Sequence, residues 1–260
     1  MELSESIVVT GYNAITARGD FPSRGKSTFA DALADSARSL SGAEANSIAD
    51  FDIKNHPVSK KTYLDRCSAL ALAAAALALQ DAGISHPPEN AARFGITLGT
   101  HYGCIDTMKT FWDNLAEKGA RHANALLFSH SYFNSPISLC AIEFGLQGYH
   151  NTVCAGSNSG LEAVRLAHDA IAAGHADAMV CGGVDALTEA RTIMNATENA
   201  SEAAVFFVLE KSSFAEERGA KVLLEIDETF WGEISESTFG DCGAATSALA
   251  LLSQITNVKI

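Results

Sequence analysis

The sequence lacks any hydrophobic run long enough to cross a bilayer. Its longest apolar stretch, Cys67–Leu79, is rich in alanine and falls far short of the ~20 residues that a membrane-spanning helix needs. Segment 1–5 is acidic and has no signal-peptide pattern. These features predict a cytoplasmic protein without membrane insertion.

Positive charge is also scarce. The 18 lysine and arginine residues are outnumbered by 31 aspartate and glutamate residues, which gives a formal net charge of −13. Such a surface repels phosphate backbones and anionic headgroups, so we expect neither nucleic acid nor an anionic membrane as a partner.

Clustered metal ligands and paired cysteines are missing as well. The six cysteines are dispersed through apolar segments, a spacing that favours reduced thiols over disulfides or a zinc site: Cys67, Cys104, Cys140, Cys154, Cys181 and Cys242. Four acidic residues that stand near predicted elements have no metal-ligand spacing: Asp106, Glu143, Asp177 and Asp185. The sequence therefore predicts neither a metal nor another cofactor.

What the chain does have is a regular alternation of strand and helix patterns. With 260 residues and 47% hydrophobic content it can bury a sizeable core, and no linker divides it. We expect a single domain, 1–260, of the α/β class. Repeated strand–helix–strand units indicate a mixed, mostly parallel sheet covered by helices.

One cysteine stands in a distinctive setting. Cys154 follows the short strand-like stretch His150–Val153, and the small residues 155–160 then open a helix. This pattern predicts a thiol at a strand-to-helix turn, where backbone N–H groups favour a thiolate. The next stretch, Gly174–Ala186, indicates a helix stop, a buried strand and a turn at Gly182–Gly183.

Together these two stretches resemble the nucleophile region of the β-ketoacyl synthases, which have the thiolase-like fold. The resemblance runs from about residue 7 to residue 226, through the opening strand Ile7–Thr10 and the closing segment Val205–Lys221. It covers one N-terminal half of the synthase fold, and it implies that Cys154 lies at the nucleophile position.

The same resemblance implies that the catalytic partners of this cysteine are absent. Full synthases take two histidines from their second half. Here the chain passes almost directly from Glu225 to a turn that resembles the second histidine turn, with Gly240 at the histidine position. Segment 237–260 is then a remnant of an otherwise deleted C-terminal half, and no residue receives a confident catalytic role.

A partner follows from this resemblance too. In a heterodimeric variant of the family, an active synthase pairs with a chain-length factor that performs no chemistry, and this sequence is most similar to such subunits of aryl-polyene biosynthesis. The implied partner is an active β-ketoacyl synthase, through which an acidic acyl carrier protein acts indirectly. Residues that the resemblance assigns to the acyl tunnel and subunit interface are Tyr102, Ile105, Leu127, Phe128 and Phe133.

Two alternatives stay open. Cys154 could serve a stand-alone acyltransferase or thioesterase, with His101, His130 or His150 replacing the missing base. Alternatively, the chain could be a structural scaffold for a synthase that has no influence on product length.

Overall fold

One seven-stranded sheet organises the chain in a computed structural model, which describes residues 5–17, 19–22, 47–194, 199–226, 228–231 and 240–256. The strands are β1 Ile7–Thr16, β2 Gly19–Pro22, β3 Phe94–Gly99, β4 His150–Val153, β5 Ala178–Asp185, β6 Ala203–Lys211 and β7 Leu224–Ile226. The helices are α1 Arg66–Ala82, α2 Ile105–Lys118, α3 Ala125–Ser129, α4 Ser135–Phe144, α5 Ser159–Ala172, α6 Glu189–Met194, α7 Ser212–Glu217 and α8 Ala245–Ile255. The helices of the described residues offer no segment both long and apolar enough for a membrane span.

The strand order is β2-β1-β6-β5-β3-β4, with β7 beside β1. Only the β3–β4 and β3–β5 pairings are parallel, while β5–β6, β6–β1, β1–β2 and β1–β7 are antiparallel. The predicted mixed sheet is confirmed, but the expectation that it is mostly parallel is wrong. The reason is that β6 returns antiparallel beside β5 after a short connection, whose described residues include one short helix, α6.

Helix α1 covers one face of the sheet, together with α4. The Asp65 side chain caps α1 by accepting a 2.8 Å hydrogen bond from the Cys67 N–H, and the helix ends at Gly83 in the left-handed conformation (φ +70°). Alanine and leucine occupy most of its circumference and are buried. A helix that is apolar all round is typical of the interior of a protein, and α1 lies between the sheet and α4.

Helices α5 and α8 cover the opposite face. Both pack against β5 and against each other, and almost all of α8 is buried. The core therefore consists of two apolar layers, one on each side of the sheet. This arrangement brings the C-terminal segment 240–256 onto the side of the sheet that carries α5.

The two glycines of β5 allow this close packing. Gly182 and Gly183 lie within the strand, so the predicted double-glycine turn is wrong. A Cβ atom at Gly182 would come within 1.9 Å of the Val205 carbonyl oxygen, and one at Gly183 within 2.7 Å of the Ala244 carbonyl oxygen. The backbone approach of β6 and of residue 244 excludes any side chain at these positions.

Candidate functional site

The candidate site lies where three parallel strands end. In the β3–β4 and β3–β5 ladders Gly99 pairs with Val153 and with Gly183. Parallel strands that pair in register have their carboxyl ends at the same edge of the sheet. The residues that follow β3 and β4 therefore lie near the last residue of β5 at this edge. This edge carries His101 and Tyr102 after β3, Cys154 after β4, and Asp185 at the end of β5.

Cys154 is exposed, unlike the other five cysteines, which are buried. Partial burial of its sulfur, and then the negative charge of Asp185, raise the pKa of the thiol. The N–H of Ala155 donates to the Ser159 hydroxyl (2.7 Å), which itself donates to the Gly156 carbonyl (2.6 Å). The first N–H group after the cysteine is therefore occupied, and the expected preference for a thiolate at this turn is wrong.

Asp185 is the hydrogen-bonding centre of the site. Its fully buried carboxylate accepts from the Thr100 hydroxyl (2.8 Å) and from the N–H groups of His101 (2.9 Å) and Tyr102 (2.9 Å). It also accepts from the N–H of Ala244 (2.7 Å). Burial raises the pKa of this carboxyl group, and the four donors oppose that rise. One side chain thus joins the end of β3 to the residue before α8.

Arg191 of α6 is a second buried charge at this edge, with only 1% of its surface exposed. Its guanidinium group donates to the carbonyl oxygens of Ala186 (3.2 Å), Ser201 (2.7 Å) and Asp241 (2.7 Å), and it lies 4.7 Å from the centre of the Tyr102 ring. Its Nε atom has no hydrogen-bond partner among the described residues. Nothing in the sequence of α6 indicates that Arg191 is buried and binds three carbonyl oxygens. The place of Asp185 shortly after Gly182–Gly183, by contrast, could have marked it as a site residue.

Gly240 occupies a backbone position that only glycine tolerates. Its φ is +80°, and a Cβ atom there would come within 2.5 Å of the Asn199 carbonyl oxygen. The next residue is fixed to the same loop, since the Asp241 N–H donates to Asn199 (2.9 Å) and its carbonyl accepts from the Ser201 N–H (2.8 Å). A histidine at residue 240 would require this loop to rearrange.

The five predicted tunnel residues fall into two groups. Tyr102 is buried, and Phe133 packs against the following Gly103, where a Cβ atom would lie 3.0 Å from the Phe133 ring. Ile105 is half-buried at the first position of α2, and Leu127 is half-buried on α3. Phe128 packs instead against Phe111 and Tyr132, in a separate group of rings that is described next.

We call the exposed rings of α2, α3 and the following turn the aromatic patch. Phe128 packs against Phe111 (5.4 Å between ring centres) and Tyr132 (5.0 Å), and Phe111 packs against Trp112 (5.7 Å). Trp112 is 58% exposed and Phe128 is 47% exposed. Large rings that meet one another in solvent mark a surface suited to another molecule.

None of the three candidate histidines is hydrogen-bonded to Cys154 in the part of the chain that the structure describes. His101 stacks on Tyr102 with 4.2 Å between ring centres, and His130 meets the edge of Tyr63. Burial lowers the pKa of His150. No group of three or more potential metal ligands occurs among the described residues either.

A cleft of about 700 Å³ lies away from this site, beside the N-terminus of α1. Its cationic lining residues are mostly paired: Lys61 with Glu143, Arg66 with Glu202 (2.6 Å) and Lys54 with Asp52 (4.0 Å). The pairing leaves this cleft with little net positive charge.

Comparisons with known proteins agree with one another. Residues 4–203 match the model of the β-ketoacyl synthase N-terminal domain. The chain is 32% identical over 212 residues to the ketoacyl synthase alpha subunit of the tetracenomycin polyketide synthase of Streptomyces glaucescens, which covers 68% of this chain and 49% of that protein. It is also 32% identical over 143 residues to 3-oxoacyl-[acyl-carrier-protein] synthase 2 of Vibrio cholerae, covering 54% of this chain and 34% of that protein.

Solved structures give the same fold. The ishigamide ketosynthase/chain length factor matches with a TM-score of 0.68 at 19% identity, covering 86% of this chain and 62% of that one. The ketosynthase AntDE in complex with its acyl-carrier protein matches with a TM-score of 0.71 at 20% identity, covering 86% and 67%. The chain spans about half the length, or less, of the curated relatives named here.

Proposed function

The chain belongs to the β-ketoacyl synthase family, and we propose that it is a non-condensing, chain-length-factor-like subunit. It pairs with an active β-ketoacyl synthase and shapes the tunnel for the growing chain in fatty-acid- or polyketide-like biosynthesis of the aryl-polyene type. In this proposal the chain is one domain, with an N-terminal half at 7–226 and a remnant of the second half at 237–260.

The observation that carries the proposal is the environment of Gly240. The family resemblance assigns this position to a catalytic histidine, yet φ is +80° and the Asn199 carbonyl occupies the space of a side chain. A thiol without positioned acid/base partners loses the contributions that make condensation fast. The segment between residues 226 and 240, where the other histidine loop belongs, contains no histidine.

The state of Cys154 also favours this proposal over a stand-alone cysteine enzyme. Activated cysteines sit in surroundings that lower the thiol pKa. Here burial and Asp185 raise the pKa of Cys154, and no imidazole is hydrogen-bonded to it within the described residues. The sulfur is accessible without being activated.

The aromatic patch supports a protein partner. Aromatic residues are enriched in the buried centres of interfaces, and three rings of the patch are about half exposed. Phe128 belongs to the patch, and Phe133 stands five residues further on. In this proposal the partner surface adjoins, along the chain, the residues assigned to the tunnel end.

We propose that the acyl carrier acts through the synthase subunit. The net charge of −13 disfavours an acidic carrier on this chain. The lysine-lined cleft does not reverse this, because Glu143, Glu202 and Asp52 pair with three of its four cations.

The test is coexpression of the full chain with an active synthase and carrier of an aryl-polyene system, followed by mass spectrometry of the products. Phe133→Ala enlarges the space beside Tyr102 and should lengthen the products. Ile105→Trp should shorten them, because overpacking a filled pocket costs about 1–3 kcal/mol, roughly a tenfold change in termination odds. Cys154→Ala should leave the condensation rate unchanged.

Val222→Ala, at an exposed residue before β7, is the matched control and should change neither length nor rate. A fixed product length in both tunnel variants, with the complex assembled, would favour the scaffold. A large loss of rate in Cys154→Ala would favour the cysteine enzyme, and failure of any complex to form would refute the proposed function.

A further inference from the structure

Two buried residues of opposite charge connect Tyr102 to the C-terminal segment. We propose that Asp185 and Arg191 are positioning residues that jointly fix Tyr102, so that the placement of this ring depends on residues 241–244. The inference concerns the tunnel end of the proposed function, but the contacts that carry it are independent of any partner.

The first connection runs through Asp185. Its carboxylate holds the backbone of Tyr102 by accepting from the N–H groups of residues 101 and 102, both at 2.9 Å. The same carboxylate accepts from the Ala244 N–H at 2.7 Å. Each carboxylate oxygen accepts two hydrogen bonds. Oδ1 accepts from the Thr100 hydroxyl (2.8 Å) and the Tyr102 N–H, and Oδ2 accepts from the His101 and Ala244 N–H groups. An amide in this place would turn an NH₂ group toward two donors and lose both contacts.

The second connection runs through Arg191. Its guanidinium group lies over the Tyr102 ring at 4.7 Å and donates to the Asp241 carbonyl at 2.7 Å. The planar group holds two further carbonyl oxygens, those of Ala186 and Ser201. A lysine keeps the charge but not this planar set of donors, so it should restore the position of Tyr102 only in part.

The two connections complement each other. Asp185 fixes where the Tyr102 backbone is, and Arg191 fixes where its ring is. Both side chains are buried (0% and 1% exposed), and both contact the segment 241–244. Asp185 accepts from the Ala244 N–H, while Arg191 donates to the Asp241 carbonyl and lies 3.6 Å from the Asp241 carboxylate. A buried polar group without its partner is costly, so displacement of the segment should loosen the placement of Tyr102.

Nitration by tetranitromethane tests this in the full chain alone, with the modified tyrosines identified by mass spectrometry. In the unmodified protein Tyr102 (6% exposed) should be protected like Tyr12 (7%), while Tyr132 (45%) reacts. Arg191→Met should increase Tyr102 nitration by roughly thirtyfold, the factor given by one lost desolvated cation–π contact. Asp185→Asn should increase it by roughly fivefold or more, because hydrogen bonds of the carboxylate are lost. Arg191→Lys should give an intermediate increase.

Arg218→Lys is the matched control. Arg218 pairs with buried Glu210, whose strand partner Ala178 begins β5, whereas Asp185 ends it. This variant keeps the charge but loses the two-point hydrogen bonding of a comparable ion pair at the other end of the sheet, and it should leave Tyr102 protected. If Arg191→Met does not fold, Tyr102 nitration in Arg191→Lys and in the unmodified protein still tests the inference. Tyr102 nitration as fast as that of Tyr132 in the unmodified protein, or equal in Arg191→Lys and the control, would overturn the inference.

Product length in the complex separates this inference from the proposed function. If Tyr102 becomes reactive but product length stays fixed, Asp185 and Arg191 position the ring and the tunnel assignment of Tyr102 fails. If no complex forms, the proposed function fails while the nitration result still stands.

Discussion

At the scale of single residues, Cys154 and Gly240 have the strongest consequences for chemistry. Cys154 is accessible, but its surroundings favour the neutral thiol. Gly240 stands where the resemblance expects a histidine, in a conformation and space that admit no side chain. Under the proposed function both residues hold a family position without the family's chemistry, and each can be tested directly.

Alkylation of Cys154 by iodoacetamide should require a higher pH in the folded chain than in the urea-unfolded chain. Only the thiolate reacts, and burial together with the Asp185 charge raises the folded-state pKa of this thiol. The rate of modification against pH, followed on the Cys154 peptide by mass spectrometry, gives the inflection in both states. An inflection at lower pH in the folded chain would contradict the prediction and favour an activated nucleophile.

Gly240→Ala should destabilise the fold more than Gly174→Ala. Both glycines have a positive φ (+80° and +75°), so both variants lose about 1–2 kcal/mol through left-handed strain. Only at residue 240 does the new Cβ atom meet backbone, the Asn199 carbonyl at 2.5 Å, whereas nothing lies within 4 Å at Gly174. The added strain of about 1 kcal/mol or more should appear as a lower free energy of unfolding in urea. Equal losses in the two variants would mean that the Asn199 loop yields freely.

At the scale of elements, α2 and α3 present their rings outward. Helix α2 has one buried residue, Thr107, so it lies on the surface of the described part. Asn124 caps the N-terminus of the short α3, since its side chain accepts from the Leu126 N–H (2.9 Å). Within this helix Phe128 packs against Phe111 of α2. The pair contributes little to the core and much to the exposed apolar surface.

Trp112→Glu should weaken association with the synthase without lowering the stability of the chain itself. The ring is 58% exposed, so its loss removes little packing, while a carboxylate would be desolvated in an interface. Sedimentation velocity of mixed subunits and thermal unfolding of the isolated chain measure the two effects. Ile142→Glu is the matched control, because Ile142 is 76% exposed on α4, outside the aromatic patch. If both variants weaken association equally, or if neither weakens it, the aromatic patch is not part of the interface.

At the scale of the whole molecule, the acidic chain uses ion pairs to join distant segments. Asp177, just before β5, contacts Arg93 (2.8 Å), just before β3, and Lys211 (2.8 Å), at the end of β6. Arg218 holds Glu210 of β6, which also accepts from Thr10 of β1. These pairs lie at the edge of the sheet opposite Cys154.

Asp177→Asn should remove a stabilisation that is fully present above about pH 4 and is lost as the pH falls to about 2. Hydrogen bonds and charge from Arg93 and Lys211 lower the pKa of Asp177 from 3.8 to about 2. A carboxyl group with a lowered folded pKa stabilises the fold above its unfolded pKa and loses that effect as the pH falls through the folded value. Urea unfolding should therefore separate the variant from the parent at pH 6, and the two should converge between pH 4 and pH 2. A constant difference across this range would exclude the carboxylate as its cause.

The sequence by itself determined the α/β class, the family and most elements of the core. Apolar periodicity and the run Cys67–Leu79 specified buried helices, and the strand at His150–Val153 was predicted with its observed bounds. These features depend on local pattern, which a single chain displays directly. The position of Cys154 at a strand end also followed from local pattern.

Only the tertiary structure decided strand direction and the environment of the site. Nothing in the local sequence of a buried strand distinguishes a parallel from an antiparallel neighbour. The prediction of a mostly parallel sheet was therefore wrong at β6, which is antiparallel to both of its neighbours. Asp185 and Arg191 acquire their roles from partners 59 and 50 residues away, at Ala244 and Asp241. Likewise the upward shift of the Cys154 pKa arises from burial and from Asp185, a charge that folding brings close. Hydrogen bonding and desolvation depend on neighbours in space, and the order of residues along the chain does not contain them.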